Sequence, residues 1–294
     1  MRATDQDFAD GRVSPPTDHL SERDFRRLGE LIQDYCGIRM PPVKKTMVEG
    51  RLRRRVRALN LPSLNDYCRR LFDEGQLASE MVELIDAVTT NKTEFFREIE
   101  HFRFLTSKAL PHLQALPHHP GRDRPLKIWS AACSIGAEPY TLAMVLGEQA
   151  RTVRDFRFDI YATDICTDVL EKAKMGIFPE DMAREVPHDL AKRYLRRSRD
   201  RARPTVRLIP DLRQRVHFGH LNLMDSDYPM DTDMDIIFCR NALIYFDKAT
   251  QHTVLSKLCR HLRPGGFLMV GHSESVLGGT LPLTHVTSAV FMRS

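Results

Sequence analysis

The sequence lacks any long apolar run. No uninterrupted apolar stretch approaches the roughly 20 residues that a membrane-spanning helix needs. The first residues carry acids instead of the apolar segment of a secretory signal. The cysteines form no Cys-x-x-Cys pair and have no histidine at zinc spacing. We therefore expect a cytoplasmic protein with reduced cysteines, no membrane insertion and no metal site.

Two phosphate-binding signatures are also missing. The stretch 126–143 indicates a short strand, a turn of small residues and a helix that begins at Glu138-Pro139. An open α/β sheet forms a nucleotide pocket in this way, although an ordinary strand–helix turn is the alternative for this stretch alone. Its turn holds one glycine, Gly136, in place of Gly-x-Gly-x-x-Gly, and it has no Walker-type lysine. A dinucleotide pyrophosphate would be poorly bound here.

The N-terminal third of the chain predicts a tail and a helical domain. Residues 1–19 are polar and without periodicity, which predicts a mobile tail. In 20–90, apolar residues recur at helical spacing in four short segments, two of them preceded by the capping serines Ser21 and Ser63. Since such short helices are stable only when packed on one another, we expect an all-α domain.

The second predicted helix carries a dense group of arginines. The group consists of Arg51, Arg53, Arg54, Arg55 and Arg57, with no acid between them. A solvated basic face is one interpretation, and a docking surface for an acidic helix, nucleic acid or an anionic surface is the other. The absence of interleaved aromatic residues disfavours single-stranded nucleic acid.

The rest of the chain predicts an α/β domain. We interpret 91–125 as a linker with one helix that ends near Pro111, and 126–294 as apolar runs alternating with helices. This alternation is typical of a doubly wound, mostly parallel sheet, here interrupted by a β-containing insert at about 176–215. The predicted strands are 126–129, 156–162, 206–209 (in the insert), 216–218, 235–239, 267–270 and 289–292, with a turn at Pro264-Gly265-Gly266.

Polar residues follow four consecutive strands of the predicted main sheet. They are Glu138, Asp164, Asn222 and the pair Arg240-Asn241. Each alone could be a turn or cap residue, but ligands of such sheets bind outside the carboxyl ends of the strands. Together they predict a pocket for an adenosine-like ligand. Without phosphate-binding signatures, this leaves S-adenosylmethionine (SAM), a nucleoside with an amino-acid tail.

Five motifs resemble the chemoreceptor glutamate O-methyltransferases, the CheR family. They are Thr-Thr-Asn-x-Thr-x-Phe-Phe-Arg-Glu at 89–98, Trp-Ser-Ala-Ala-Cys-Ser-x-Gly-x-Glu-Pro-Tyr at 129–140, Ala-Thr-Asp-Ile at 162–165, Ile-Phe-Cys-Arg-Asn-x-x-Ile-Tyr-Phe-Asp at 237–247 and Gly-His-Ser-Glu at 271–274. The resemblance implies a SAM-dependent methyltransferase domain with a small inserted β subdomain, preceded by an all-α helical domain. It also implies transfer of methyl groups to glutamates on the cytoplasmic helices of chemotaxis receptors.

The resemblance also implies a set of cofactor contacts. Arg97 and Glu138 would lie near the charged methionine end and the transferred methyl group. Asp164 would accept from the ribose hydroxyls, and Asn91 and Thr93 would close the pocket from the interdomain side. The full set is Asn91, Thr93, Arg97, Glu138, Asp164, Asn222, Leu223, Arg240 and Asn241.

The reaction needs alignment more than acid–base chemistry. A glutamate carboxylate, with a pKa of about 4.3, is already an anion at neutral pH and needs no general base. We predict that Tyr245 positions this carboxylate by a hydrogen bond and that Arg97 lies nearby to tolerate its charge. Because Leu243, Ile244 and Phe246 surround it, Tyr245 could instead be a core aromatic residue.

The basic helix then acquires an expected partner. Arg53, Arg54 and Arg57 are candidates for docking the acidic methylation helices of receptors, and we expect a monomer that binds no nucleic acid. In some family members the β subdomain binds a short peptide at the receptor C-terminus, and those members have glycines in the corresponding loop. This chain has Arg-Arg-Ser-Arg-Asp-Arg-Ala-Arg-Pro at 196–204 instead, so that tether is in doubt. Methylation of another protein or of nucleic acid, or a SAM-binding module without turnover, are the rival interpretations.

Overall fold

The computed structural model describes residues 18–274 and 281–294. The predicted mobile tail, 1–19, therefore lies almost entirely outside the described residues. The remainder forms a helical domain, a connecting segment and a sheet domain with a small inserted β subdomain, which confirms the predicted fold class.

The helical domain contains four helices joined by short turns. They are α1 Glu22–Cys36, α2 Lys45–Ala58, α3 Leu64–Phe72 and α4 Leu77–Val88. The Ser21 hydroxyl accepts from the backbone N–H of Asp24 at 3.0 Å and so caps α1. The Ser63 hydroxyl accepts from the N–H of Asp66 at 3.1 Å and caps α3 in the same way. The apolar stripes of the four helices meet in one buried cluster that includes Leu28, Ile32, Leu52, Tyr67 and Leu84.

The connecting segment crosses to the sheet domain without regular structure until a helix begins at Glu100. This helix consists of α5 Glu100–Phe104, a π-helical turn Leu105–Ala109 and α6 Leu110–Gln114. The prediction that it ends near Pro111 was wrong. Pro111 falls in the first turn after the wider π-helical turn, where the missing N–H of proline is tolerated.

Ten strands are present in the described part of the chain. They are β1 Leu126–Ala131, β2 Phe158–Asp164, β3 Ile177–Pro179, β4 Leu195–Arg197, β5 Thr205–Leu208, β6 Val216–His220, β7 Met234–Cys239, β8 Leu262–Val270, β9 Leu283–Thr287 and β10 Val290–Arg293. The helices between them are α7 Ala137–Thr152, α8 Thr167–Met175, α9 His188–Tyr194, α10 Pro210–Arg213 and α11 Lys248–His261.

The main sheet has the order β6-β2-β1-β7-β8-β10-β9. Its first five strands are parallel, whereas β10 pairs antiparallel with both β8 and β9. The chain runs outward from β1 to β2 and later returns to β7 on the other side of β1. The carboxyl ends of β1 and β7 therefore border the crevice where doubly wound sheets bind their ligands.

The central strand is buried on both faces, as is typical of a parallel sheet covered by helices. On β1, Ile128 packs into the cluster beneath α7, and Trp129 packs into the opposite cluster with α11. The inserted subdomain is a separate three-stranded antiparallel sheet of order β3-β5-β4. Only its middle strand carries a recognisable apolar run, and β5 was the strand predicted there.

One expectation for the C-terminal strands was wrong, and one strand was missed. Pro264-Gly265-Gly266 is not a turn between elements but lies within β8, because the register against β7 shifts between Met234 and Ile236 and Gly265 adopts a φ of +75°. The edge strand β9 was not predicted. It is mostly exposed and reads Leu-Thr-His-Val-Thr, so it has no apolar run to reveal it.

Candidate functional site

One pocket contains every predicted cofactor and catalytic residue. It lies beyond the carboxyl ends of β1, β2, β6 and β7, and the segment 88–97 runs along its side. Two of its walls come from different domains. The sheet wall is Glu138, Asp164, Arg240 and Asn241, and the helical wall, contributed by the helical domain, is Cys36, Ile38, Met40, Lys44 and Met47. The other predicted residues that line the pocket are Asn91, Thr93, Arg97, Asn222, Leu223 and Tyr245.

The turn after β1 brings backbone amides close to the pocket. Ala132, Ser134 and Gly136 all have a positive φ, and small residues tolerate this tightly wound turn best. A Cβ added at Gly136 would lie 3.0 Å from the Cβ of Ala173 on α8. The turn therefore needs glycine at this position for its close packing against the next helix.

Asp164 is built into this turn. Its carboxylate, 6% exposed, accepts from the N–H of Ser134 at 2.7 Å and from the N–H of Cys166 at 2.9 Å. Burial raises the pKa of Asp164, and the backbone hydrogen bonds oppose that shift. A carboxylate has about four acceptor sites, so two remain for further donors. A pair of vicinal hydroxyls, such as those of a ribose, fits this remaining capacity.

Arg240 connects two acids across the pocket. Its guanidinium, on a side chain that is 2% exposed, lies 3.3 Å from Glu98 and 3.3 Å from Glu138 and also donates to the carbonyl of Arg97. Glu138 in turn accepts from the Ser130 hydroxyl at 2.7 Å. Burial raises the pKa of Glu138, while Arg240 and Ser130 act against this shift. The Nε of Arg240 has no partner among the described residues.

The buried carboxylate of Glu274 holds the loop after β7, a role that was not predicted from the sequence. Glu274 accepts from the N–H groups of Gly271, Asn241 and Ile244 at 2.6, 2.9 and 3.1 Å. Asn241, which has a φ of +58°, also donates from its side chain to Glu98 at 3.2 Å. Within the Gly-His-Ser-Glu motif, Glu274 thus fixes the backbone that presents Asn241 to the pocket.

The two domains meet at several polar contacts beside the pocket. The Asn222 side chain donates to the carbonyl of Tyr35 on α1 at 2.7 Å, and the Ser134 hydroxyl donates to the carbonyl of Asn91 at 2.8 Å. Gly37 permits the close approach, because a side chain there would meet Met224 at 2.8 Å. Asp86 of α4 accepts from the backbone and hydroxyl of Thr167 at 2.9 and 2.6 Å, at the start of α8. Asp86 and Lys44 were not identified from the sequence, since neither belongs to a recognisable pattern.

Tyr245 lies where the helical wall meets the sheet domain. It closes the 3-10 turn Leu243–Tyr245, is half-buried, and lines the pocket, whereas its neighbours Leu243 and Phe246 are buried in the core. The N–H of Arg39 donates to its carbonyl at 3.1 Å, and the ammonium of Lys44 lies 5.3 Å from the centre of its ring. The ring packs partly on the core and still borders the pocket.

The arginines of α2 divide into structural and exposed groups. Arg55 pairs with the buried Glu80 at 2.5 Å and with Glu83 at 3.3 Å, and Arg51 donates to the carbonyls of Val88 and Thr89. Arg53 donates to the carbonyl of Asp18 at 2.7 Å, whereas Arg54 and Arg57 are exposed. The exposed basic surface of α2 is therefore smaller than five arginines in sequence suggest, because Arg51, Arg53 and Arg55 have partners within the protein.

Three side chains near Arg240 offer ligand atoms that lie within 4.8 Å of one another: Glu98, His101 and His272. Arg240 already supplies a fixed positive charge 3.3 Å from Glu98. Burial, followed by the charge of Arg240, lowers the pKa of His101 to about 4. The cluster is explained without a metal ion, and we assign none to it.

Comparison of the sequence with known protein families identifies the family of this chain. The model of the CheR methyltransferase SAM-binding domain matches residues 91–292, and that of the CheR methyltransferase all-alpha domain matches residues 23–89. The chain belongs to the CheR methyltransferase family. This confirms both the resemblance and the SAM cofactor predicted from the strand-end residues, and the chain is a SAM-dependent methyltransferase.

Curated relatives of this CheR-family methyltransferase are similar along most of its length. A chemotaxis protein methyltransferase of Borreliella burgdorferi is 36% identical over 88% of this chain and 90% of its own. Chemotaxis protein methyltransferase 2 of Pseudomonas aeruginosa is 37% identical over 93% of this chain and 94% of its own. The chemotaxis protein methyltransferase of Escherichia coli is 37% identical over 87% of this chain and 85% of its own.

The sheet wall fits SAM in its chemistry. Asp164 has acceptor capacity for ribose hydroxyls, and Glu138 offers a carboxylate for an ammonium group. The cationic groups of Arg97 and Arg240 suit the carboxylate, which in the amino-acid tail is bonded to the same carbon as the ammonium group. Among the described helices, none has both the length and the apolar character to cross a bilayer.

Proposed function

We propose that this CheR-family methyltransferase transfers the methyl group of SAM to glutamate side-chain carboxylates of chemotaxis receptors, in the cytoplasm. The observation that carries the proposal is the pocket itself. It joins the sheet wall, whose chemistry suits SAM, to Tyr245, to Lys44 of the helical domain and to Arg97 of the connecting segment, which suits an anionic acceptor. The relatives' names, chemotaxis protein methyltransferase, support the same acceptor class.

The residues of this chain perform little acid–base work in the proposed reaction. SAM supplies an electrophilic methyl group on a sulfonium. The acceptor carboxylate is already ionised at neutral pH, so no group in the pocket has to remove a proton. Asp164, Glu138 and Arg97 would instead hold the donor in one orientation, and the surrounding walls would exclude water. Alignment of this kind is the main source of rate in a direct transfer between two bound groups.

Tyr245 is the residue that we assign to the acceptor. Its half-buried ring reaches the pocket from the loop after β7, and its hydroxyl can donate to one carboxylate oxygen while the other attacks. Arg97 lines the same pocket and would offset the negative charge of the carboxylate before transfer. Tyr245→Phe should lower kcat by roughly 100-fold while SAM still binds, because misplacing the attacking carboxylate by about 1 Å is enough for such a loss. Calorimetric SAM titration and initial rates check this, and full turnover by the variant would remove Tyr245 from the mechanism.

Three basic residues of α2, of which Arg54 and Arg57 are exposed and Arg53 is partly buried, form the proposed docking surface. Arg53, Arg54 and Arg57 would meet the acidic helices of the receptor, and the tether through the loop at 196–204 is not part of this proposal. Such surface contacts act over about a Debye length, so raised salt should weaken receptor binding.

The reaction class can be tested directly. The enzyme is incubated with SAM labelled in the methyl group and with receptor cytoplasmic fragments, and the product is treated with mild alkali. A carboxyl methyl ester releases volatile label, which is the expected result. Alkali-stable label would show methylation of nitrogen and contradict the proposal, and label on nucleic acid alone would contradict the acceptor class.

A further inference from the structure

Lys44 is a cation on the helical wall without an anionic partner. It ends the 3-10 turn Pro42–Lys44, and its ammonium donates to the carbonyl of Arg39 at 3.0 Å. In the described part of the chain, no carboxylate lies within the 4.0 Å that defines an ion pair with it. The adjacent Lys45 differs, since it pairs with Glu22 at 2.5 Å on the outer side of the domain. Of these two neighbouring lysines, only Lys44 lines the pocket, and only Lys45 has an acidic partner.

The position of Lys44 is unfavourable for the fold. It is the N-cap of α2, where the partial positive charge of the helix end favours acids, and the first turn of α2 contains none. Arg51 adds a further positive charge nearby, and burial together with Arg51 lowers the pKa of Lys44. Lys44 breaks this rule with only uncharged partners, the carbonyl of Arg39 and the ring of Tyr245, and such departures are expected at functional sites.

Lys44 also has donors to spare. An ammonium carries three N–H donors, and the carbonyl of Arg39 takes one of them. Arg51, by contrast, has its guanidinium engaged with the carbonyls of Val88 and Thr89 and with the hydroxyl of Thr90. Arg51 therefore contributes charge, while Lys44 is the group that can bond directly to an anion entering beside Tyr245.

We propose that Lys44 binds the carboxylate of the acceptor glutamate and holds it next to Tyr245. This inference rests on the proposed function, because it assumes a glutamate acceptor. The Lys44 ammonium lies 5.3 Å from the centre of the Tyr245 ring, so one carboxylate can lie within reach of both groups. The helical domain would then supply part of the acceptor site in addition to a surface for docking.

The reaction chemistry predicts which kinetic constant Lys44 controls. The carboxylate loses its charge as the new C–O bond forms and the C–S bond to the sulfonium breaks, so an ion pair with Lys44 is strongest before transfer. An interaction that is weaker in the transition state than in the bound complex helps capture and does not raise kcat. Lys44 should therefore act on the KM for the receptor, whereas Tyr245 should act on kcat.

The experiment compares Lys44→Met, Lys44→Arg and Lys45→Met in the full-length enzyme. Initial rates with a receptor cytoplasmic fragment give KM and kcat, and calorimetry gives the Kd for SAM. We expect Lys44→Met to raise the receptor KM about tenfold, the value of a charged hydrogen bond, with kcat within about twofold and the Kd for SAM unchanged. Lys44→Arg should restore most of the affinity, and Lys45→Met should behave as wild type.

The outcomes separate this inference from the proposed function. An unchanged receptor KM in Lys44→Met, with a normal wild-type rate, would overturn the inference alone. A weaker Kd for SAM in that variant would assign Lys44 to the cofactor carboxylate and would also overturn it. If the wild-type enzyme transfers no methyl group to receptors, both statements fail together. Should Lys44→Met not fold, Lys44→Gln gives the same comparison with a polar side chain of similar length.

Discussion

The two walls of the pocket differ in how their polar groups are satisfied. On the sheet wall, Asp164 accepts from two backbone amides, and Glu138 is held by Ser130 and Arg240. On the helical wall, the lining side chains are apolar except for Lys44, which has no acidic partner in the described residues. The charged groups of the sheet wall are held by hydrogen bonds and ion pairs within that wall, whereas the charge of Lys44 on the helical wall has no opposite charge beside it in the described residues.

This difference indicates that the sheet domain binds the cofactor and that the helical domain binds the acceptor. Groups whose positions are fixed by internal hydrogen bonds can bind a ligand without reorganising, and this suits a cofactor that is bound in every cycle. An unpaired cation on the opposite wall gains a partner only when an anionic acceptor arrives. Changes to the sheet wall should therefore impair SAM binding, and changes to the helical domain should impair the use of the receptor. The four predictions below test that separation, in order of expected effect.

Arg240→Met should cause the largest loss. The substitution leaves Glu98 and Glu138 without their shared cation in a site where the Arg240 side chain is 2% exposed. Breaking a buried ion pair by removing one partner costs about 3–5 kcal/mol. We expect a clear fall in Tm and loss of calorimetric SAM binding. Arg154→Met, at an ion pair with 93% of the arginine side chain exposed, is the matched control and should change neither quantity. Normal SAM affinity in Arg240→Met would show that the sheet wall does not depend on this residue.

His101 should make the stability of the sheet domain depend on pH. It is 1% exposed, neither ring nitrogen makes a hydrogen bond within the described residues although Nδ1 lies 3.5 Å from Glu98, and burial lowers its pKa to about 4. Arg240, His272 and Glu98 are the charged or titratable groups that face it. In the unfolded chain a histidine has a pKa of about 6.5, so the unfolded state takes up the proton first as the pH falls. The free energy of unfolding should then decrease between about pH 6.5 and pH 4, by roughly 3 kcal/mol in total.

The measurement is denaturant unfolding over that pH range. His101→Leu removes the titrating group and should flatten the dependence, because no hydrogen bond of the ring is lost. His188→Leu, at a fully solvated histidine whose side chain is 90% exposed, should keep the wild-type slope. An unchanged slope in His101→Leu would assign the acid sensitivity to other groups.

Asp86→Ala should loosen the helical domain without disabling the sheet wall. Asp86 caps α8 from the other domain by accepting from the N–H and hydroxyl of Thr167 and from the N–H of Asp168 at 3.1 Å. Loss of a capping side chain costs about 1–2 kcal/mol. We expect a lower Tm, with SAM affinity reduced less than about threefold. Glu83→Ala, on the same helix but facing Arg55 within the helical domain, is the control. A loss of SAM affinity as large as that of Arg240→Met would contradict the division between the walls.

Much of the sheet wall could be predicted because it follows from topology. Apolar runs locate the parallel strands, and the polar residues just after them must share one edge of the sheet. Glu138, Asp164, Asn222 and Arg240 were found in this way and do line one pocket. The roles of Glu98 and Glu274 were not found, since their partners lie far along the chain and no spacing reveals them.

The helical wall was less predictable for a physical reason. Lys44 stands in a turn, where a single charge has no pattern, and its importance comes from the absence of a nearby acid in three dimensions. Similarly, the arginines of α2 looked equivalent in sequence, although Arg55 pairs with Glu80 of α4 and Arg54 does not. Arginines on one helix can be sorted into structural and exposed residues only when the helices that pack against it are known.

The double variant Arg54→Ala/Arg57→Ala should have the smallest effect, and a selective one. Both side chains are exposed, so their removal should leave Tm and the Kd for SAM unchanged. Exposed pairs with an acidic receptor helix are worth about 0.2–1 kcal/mol each, which predicts a rise of about fivefold in the receptor KM at low salt. At high salt, wild type and variant should converge, because screening removes the same attraction. Arg55→Ala is the contrasting variant, and it should lower Tm because Glu80 would lose its partner. If the exposed pair has no effect on KM at any ionic strength, receptor recognition does not use this face of α2.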